Sequence, residues 1–97
     1  VWLRRRRAEL FASTGGVSYG VGAMLASAAW LYAGGEFCAE RAALAGDPDL
    51  FRQAATLTAT ARQHDMAAWE LACREAKART ASADDAPFWL AGKDGDT

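Results

Sequence analysis

Residues 42–51 read AALAGDPDLF, and the middle of that stretch, Gly46-Asp47-Pro48-Asp49, decides the fold. Gly46 is the residue type that takes the left-handed conformation closing a helix. Asp47 follows as an N-cap, its carboxylate accepting from the free N–H groups of the next helix. Pro48 suits the first helical position, where a missing N–H costs nothing, and Asp49 adds negative charge at the positive end of the dipole. So short a connection joins antiparallel neighbours. The prediction is an αα-hairpin: a first helix over about 17–45, a turn at 46–49 and a second helix over about 48–79. Arg74, Lys77 and Arg79 then fall on the last turns, where the dipole favours positive charge.

Working outward from the turn, one apolar seam appears on each side. Val17, Val21, Met24, Ala28, Leu31, Gly35, Cys38, Ala42 and Ala45 alternate spacings of four and three. Leu50, Ala54, Leu57, Ala61, His64, Ala68 and Leu71 do the same, until Glu75 breaks the pattern. Two positions in seven make a heptad seam. Folding at 46–49 sets Ala42 opposite Ala54, Gly35 opposite Ala61 and Ala28 opposite Ala68. Between these thin layers, Cys38 faces Leu57, Leu31 faces His64 and Met24 faces Leu71. Small residues at every second layer let two backbones approach closely. The glycines object: Gly20, Gly22, Gly34 and Gly35 each cost a helix up to ~1 kcal/mol relative to alanine. A late start near Gly20-Gly22 and close packing at Gly35 would offset this; a kink at Gly34-Gly35 is the alternative.

The fold class expected is therefore all-α, an antiparallel two-helix hairpin with an Ala/Gly-rich seam. Composition agrees. Of 97 residues, 52% are hydrophobic and only two are proline, with alanine, the best helix former, prominent. A formal net charge of -1 excludes a uniformly basic nucleic-acid coat, and the apolar content excludes a disordered chain.

One seam cannot use all the apolar residues. Trp30, Phe37 and Leu44 recur every seven residues off it, and Phe51, Met66, Trp69 and Cys73 lie off the second. Lone helix pairs of this size are marginally stable. Either the N-terminal segment (Leu3, Leu10, Phe11) and the tail fold back as cover, or hairpins associate, most simply as a two-fold four-helix bundle. The second is favoured, with Trp30, Phe37, Met66 and Trp69 as the contact between chains.

The ends differ in character. Residues 1–16 form a basic segment with Arg4, Arg5, Arg6 and Arg7 in a row; residues 80–97 form an acidic tail around Pro87, Phe88, Trp89 and Leu90, a compact docking peptide. The arginines read first as a solvated basic end or one folded onto Asp84, Asp85, Asp94 and Asp96, and second as phosphate contacts. Thr14 to Gly35 is uncharged and follows the arginines, as in a spanning helix. Its glycine, serine and alanine content, and its register with a polar second helix, weigh against a membrane. An export signal ending at Ala26-Ser27-Ala28 would cut through the seam.

Little in the chain carries chemistry. His64 is the only histidine, read as a core-edge imidazole or, less simply, a pH-dependent contact. Cys38 and Cys73 stand on the order of 24 Å apart at ~1.5 Å per residue, too far to bridge. They read as packed, reduced thiols, which points to the cytoplasm. No glutamate precedes His64 by three residues as in ferritin-like sites, and no phosphate-binding glycine loop or nucleophile motif occurs. Neither an enzyme nor a cofactor or metal is expected. The expected function is a non-enzymatic oligomerising adaptor that contacts partners through its ends. The alternative is nucleic-acid binding. A basic N-terminal end, a central hairpin and an aromatic tail resemble the layout of small phage DNA-packaging terminase subunits, without a helix-turn-helix. That resemblance implies a ring built by the hairpin, one end on DNA and a tail on the motor subunit. A small membrane-anchored or exported protein is the third reading.

Overall fold

The computed structural model describes residues 1–84, all in helices and the turns between them: α1 (Trp2–Thr14), α2 (Tyr19–Ala45) and α3 (Pro48–Asp84). The tail residues Pro87, Phe88, Trp89 and Leu90 lie outside the described residues.

The turn forms by the mechanism its residues dictate. Gly46 takes φ 63°, ψ 34°, and its N–H donates to the Ala42 carbonyl at 2.7 Å, closing α2. The Asp47 carboxylate accepts from the Asp49 N–H at 2.9 Å, and α3 begins at Pro48. Asp49 also reaches Arg52 at 3.2 Å on the first turn.

α2 and α3 pack antiparallel along the alternating seam. Val21, Ala28, Gly35 and Ala42 of α2 are buried, as are Ala54, Ala61 and Ala68 of α3. Met24, Leu31, Cys38, Leu57, His64 and Leu71, the thick layers, are half-buried. Thin layers bring the backbones together, and the larger side chains then splay to the edges of the contact. Ala45, at the end of the seam, is exposed.

Two expectations need correction, the partner of Gly35 and the end of α3. Gly35 does not face Ala61. A Cβ there would lie 2.7 Å from Thr58 Oγ1, 3.4 Å from the Ala54 carbonyl oxygen and 3.5 Å from the Thr58 nitrogen. Facing residues interdigitate, so Gly35 enters the space beside the Ala54–Thr58 turn instead of meeting one residue head-on. α2 begins at Tyr19, later than Val17, because Ser18 caps it: its Oγ accepts from the Val21 N–H at 3.2 Å. α3 runs on to Asp84, so Arg74, Lys77 and Arg79 are not its last turn. Nothing from Ala78 to Asp84 interrupts a helix, since the next proline is Pro87. As expected of the first helix, α2 continues through Gly34-Gly35 without a break.

The basic N-terminal segment is itself a helix. α1 lies along the half of the hairpin remote from the 46–49 turn, parallel to α3. Leu10 joins Val21, Leu25, Ala68 and Ala72 in a buried cluster, flanked by Trp2, Leu3, Val17, Met24, Trp69 and Leu71. Trp2 meets Tyr32 edge-on at 5.2 Å between ring centroids.

The seam yields a paired stability prediction. A methyl group on Gly34 would meet only Leu57 Cδ1, at 3.5 Å. Gly34→Ala is therefore expected to stabilise the fold by up to ~1 kcal/mol through helix propensity. Gly35→Val should destabilise it by about 1–3 kcal/mol, as overpacking does. Urea midpoints at constant slope measure both, and an unchanged midpoint for Gly35→Val would show that this contact does not hold the hairpin.

Candidate functional site

Alone, α1 would be a poor helix. Thirteen residues are marginal in water. Its first turn has no side-chain cap and no acidic residue, while Arg4 to Arg7 crowd the positive end of its dipole. Docking has to supply the stability, and one arginine contributes to that docking. Arg6 Nε donates to Asp65 Oδ1 of α3 at 2.9 Å, Nη1 donates to Glu9 Oε2 at 2.8 Å, and the guanidinium stacks 4.9 Å from the Trp69 ring centroid. Hydrogen bonding to Asp65 raises the pKa of Arg6; partial burial opposes this and Glu9 adds to it. Arg6 therefore stays a cation inside the apolar stripe of α1.

The other three arginines of the run are exposed; Arg5 has Glu9 at 4.0 Å. Arg7 reaches across to α2, its guanidinium 3.6 Å from where a Cβ on Gly22 would lie. Of the four residues assigned to phosphate contact, Arg6 is thus turned inward and Arg4, Arg5 and Arg7 outward.

The α1–α2 connection is clamped by α3. Gly15 closes α1 with φ 83°, its N–H donating to the Phe11 carbonyl at 2.8 Å. Arg79 Nη2 donates to the Thr14 carbonyl at 2.8 Å, where the end of a helix leaves an acceptor unused. Ser18 Oγ donates to Glu75 Oε1 at 2.9 Å while capping α2. Glu75 and Arg79, four apart on α3, each hold one side of this turn. The break in the seam at Glu75 has its cause here, because a polar residue is what meets the N-terminus of α2.

The four residues assigned to a contact between chains are not one surface. Trp69 is half-buried beneath α1, and Met66 is exposed on α3. Trp30 and Phe37, 80% and 62% exposed, line up with Leu44, 87% exposed, as a stripe on α2. That stripe lies away from the Leu25 and Tyr32 side, which α1 covers. Arg41 stands 5.9 Å from the Phe37 ring centroid. Phe51 and Phe11 are also exposed.

His64 is half-buried on the seam. Cys38 is half-buried, but Cys73 is exposed, so only one of the two is packed; both are free thiols. Cavities are open depressions. One of about 700 Å³ is bounded by Leu3, Arg4, Arg5 and Arg7, and one of about 430 Å³ by Gly35, Ala39, Ala54 and Thr58. Among the described residues, no three of His, Cys, Asp and Glu stand close enough to hold a metal ion, and no helix is long and apolar enough to cross a membrane.

The N-terminal segment folds back as cover through Leu3 and Leu10, the alternative that the sequence reading did not favour, while Phe11 stays exposed; that the segment is a helix anchored by Arg6 is what sequence reasoning missed. Its signal is present: Gly15-Gly16 followed by Ser18 repeats the end-then-start grammar of residues 46–49, and Val21 and Leu25 continue a stripe beside the seam. Arg6 sits in the middle of the matching face, Leu3-Arg6-Leu10, and disguises it. No protein-family model matches the chain, and no curated protein and no solved structure matches it significantly.

Asp65 and Arg6 are only 15% and 27% exposed at their side chains. Asp65→Ala, which leaves Arg6 Nε without its acceptor on α3, should cost about 1–3 kcal/mol. The amide protons of α1 should then exchange faster than those of α2 by hydrogen–deuterium exchange. Arg5→Ala, at the exposed pair, should shift stability by less than about 0.5 kcal/mol. Equal exchange rates in Asp65→Ala and the parent chain would show that this pair does not hold α1.

Proposed function

We propose that the protein is a non-enzymatic, self-assembling helical hairpin, an adaptor whose hairpin builds the assembly and whose ends meet other molecules. The observation that carries this reading is the Trp30, Phe37 and Leu44 stripe, large apolar groups left in water at heptad spacing. Isolated exposed apolar residues are ordinary, but contiguous apolar patches mark contact sites. With α1 covering the opposite flank, the stripe has no remaining cover among the described residues. Association also answers the size problem, since a chain this short buries a small core by itself.

The measurement is mass by light scattering at micromolar concentration. The expected mass is a multiple of the 10.3 kDa chain. Trp30→Ala and Phe37→Ala together should return it to monomer without loss of helical circular dichroism. A monomeric parent chain would overturn the proposal.

A second reading, nucleic-acid binding, has its own supporting observation: Arg4, Arg5 and Arg7 project into solvent from α1 while Arg6 anchors it. Three phosphate contacts give log K a slope of about −2 to −3 against log salt. Replacing Arg4, Arg5 and Arg7 with alanine should abolish that binding with the fold intact. A duplex or single-stranded oligonucleotide that shows no shift at low salt removes this reading. A compartment, whether cytoplasmic or exported, follows from neither reading.

A further inference from the structure

Around the stripe, the exposed face of α2 has a second property: it is complementary to itself when reversed. From Ala23 to Leu44 the residues on this face are Ala23, Ala26, Ser27, Trp30, Ala33, Gly34, Phe37, Glu40, Arg41 and Leu44, all exposed or half-buried. Apart from Trp30 the N-terminal half is small, and its own residues are uncharged; the C-terminal half carries Phe37, Leu44, Glu40 and Arg41. We propose that two copies pair through α2 helices running antiparallel about a two-fold axis between Ala33 and Gly34, each Trp30 packing on the partner's Phe37. This rests on the self-association proposed above and specifies its surface and direction.

The antiparallel register solves three problems together. At the axis the exposed Ala33 residues of the two copies meet, small enough for the aromatic rings on either side to overlap. Leu44 falls on the partner's Ala23, large on small. Arg41 lies over the partner's Ala26. In a parallel pair, Glu40 would face Glu40 and Arg41 would face Arg41, and the helix dipoles would also be aligned. Reversal keeps Glu40 from Glu40 and Arg41 from Arg41.

The area is sufficient. Large side chains of this kind bury about 150–250 Å² each, so Trp30, Phe37 and Leu44 supply roughly 400–500 Å² per copy. The small residues and the stem of Arg41 extend this towards the ~1,200 Å² total at which specific interfaces begin. The Trp30 to Leu44 part of the face is clear of α1, whose Arg7 borders only its Ala23–Ala26 end, so pairing leaves the Arg6–Asp65 contact undisturbed.

Cysteine cross-linking in the full chain with Cys38→Ser and Cys73→Ser tests the register, alongside light scattering of the same variants. Ala33→Cys is expected to form a covalent dimer under mild oxidation. Leu44→Cys is not, because the two copies would stand on the order of 30 Å apart. A mixture of Trp30→Cys and Phe37→Cys chains should give a mixed dimer. Trp30→Ala should weaken dimerisation by about thirtyfold, as loss of a central aromatic anchor does. A monomeric parent chain overturns both this proposal and the self-association beneath it. A dimer that cross-links through Leu44→Cys is parallel, and one that fails to cross-link through Ala33→Cys uses another face. Either result overturns this register and leaves self-association standing.

Discussion

Everything in this molecule depends on how closely α2 and α3 approach at Gly35. With Thr58 Oγ1 only 2.7 Å from where its Cβ would be, and the Ala54 carbonyl 3.4 Å away, the two backbones lie almost in contact. The buried alanines above and below, Ala28, Ala42, Ala54, Ala61 and Ala68, keep that spacing along the hairpin. A seam so thin buries little area per layer. It gains its stability from many short contacts and from the excellent helix propensity of the residues that make it. The cost is that large apolar side chains have no room between the helices and must go to the flanks.

The two flanks are treated differently. One receives α1, whose Leu10 completes a cluster with Val21, Leu25, Ala68 and Ala72. Because α1 carries four arginines at the wrong end of its dipole, it is held by tertiary contacts: Arg6 on Asp65 and Trp69, Trp2 on Tyr32, Arg79 on the Thr14 carbonyl. The other flank keeps Trp30, Phe37 and Leu44 in water. A structural arginine on one side and an unsatisfied aromatic stripe on the other are consequences of the same narrow seam.

Much of the hairpin was legible in the linear chain, and for a local reason. Gly46, Asp47 and Pro48 act through their own backbone preferences and through bonds to neighbours within four residues, as in Gly46 N–H to the Ala42 carbonyl. The four-three alternation likewise needs only helix geometry to place Ala28 and Gly35 on one side. The partner of Gly35 was not legible, because interdigitation depends on side-chain volumes on both helices together. For α1 the fold-back of Leu3 and Leu10 was legible as an alternative, but its anchor was not: Arg6 looked like one of four solvated cations, and its inward role exists only when Asp65 and Trp69 are brought beside it.

By itself, then, the sequence determined an all-α chain, its turn at residues 46–49 and the small-residue seam, since propensity, capping and periodicity are properties of short segments. Only the tertiary structure decided which arginine is structural, why Glu75 interrupts the seam, and which aromatic residues are left uncovered. Those outcomes turn on contacts between residues more than fifty positions apart, such as Arg6 with Asp65, Ser18 with Glu75 and Thr14 with Arg79. No local preference encodes them; they exist because three helices share one narrow groove.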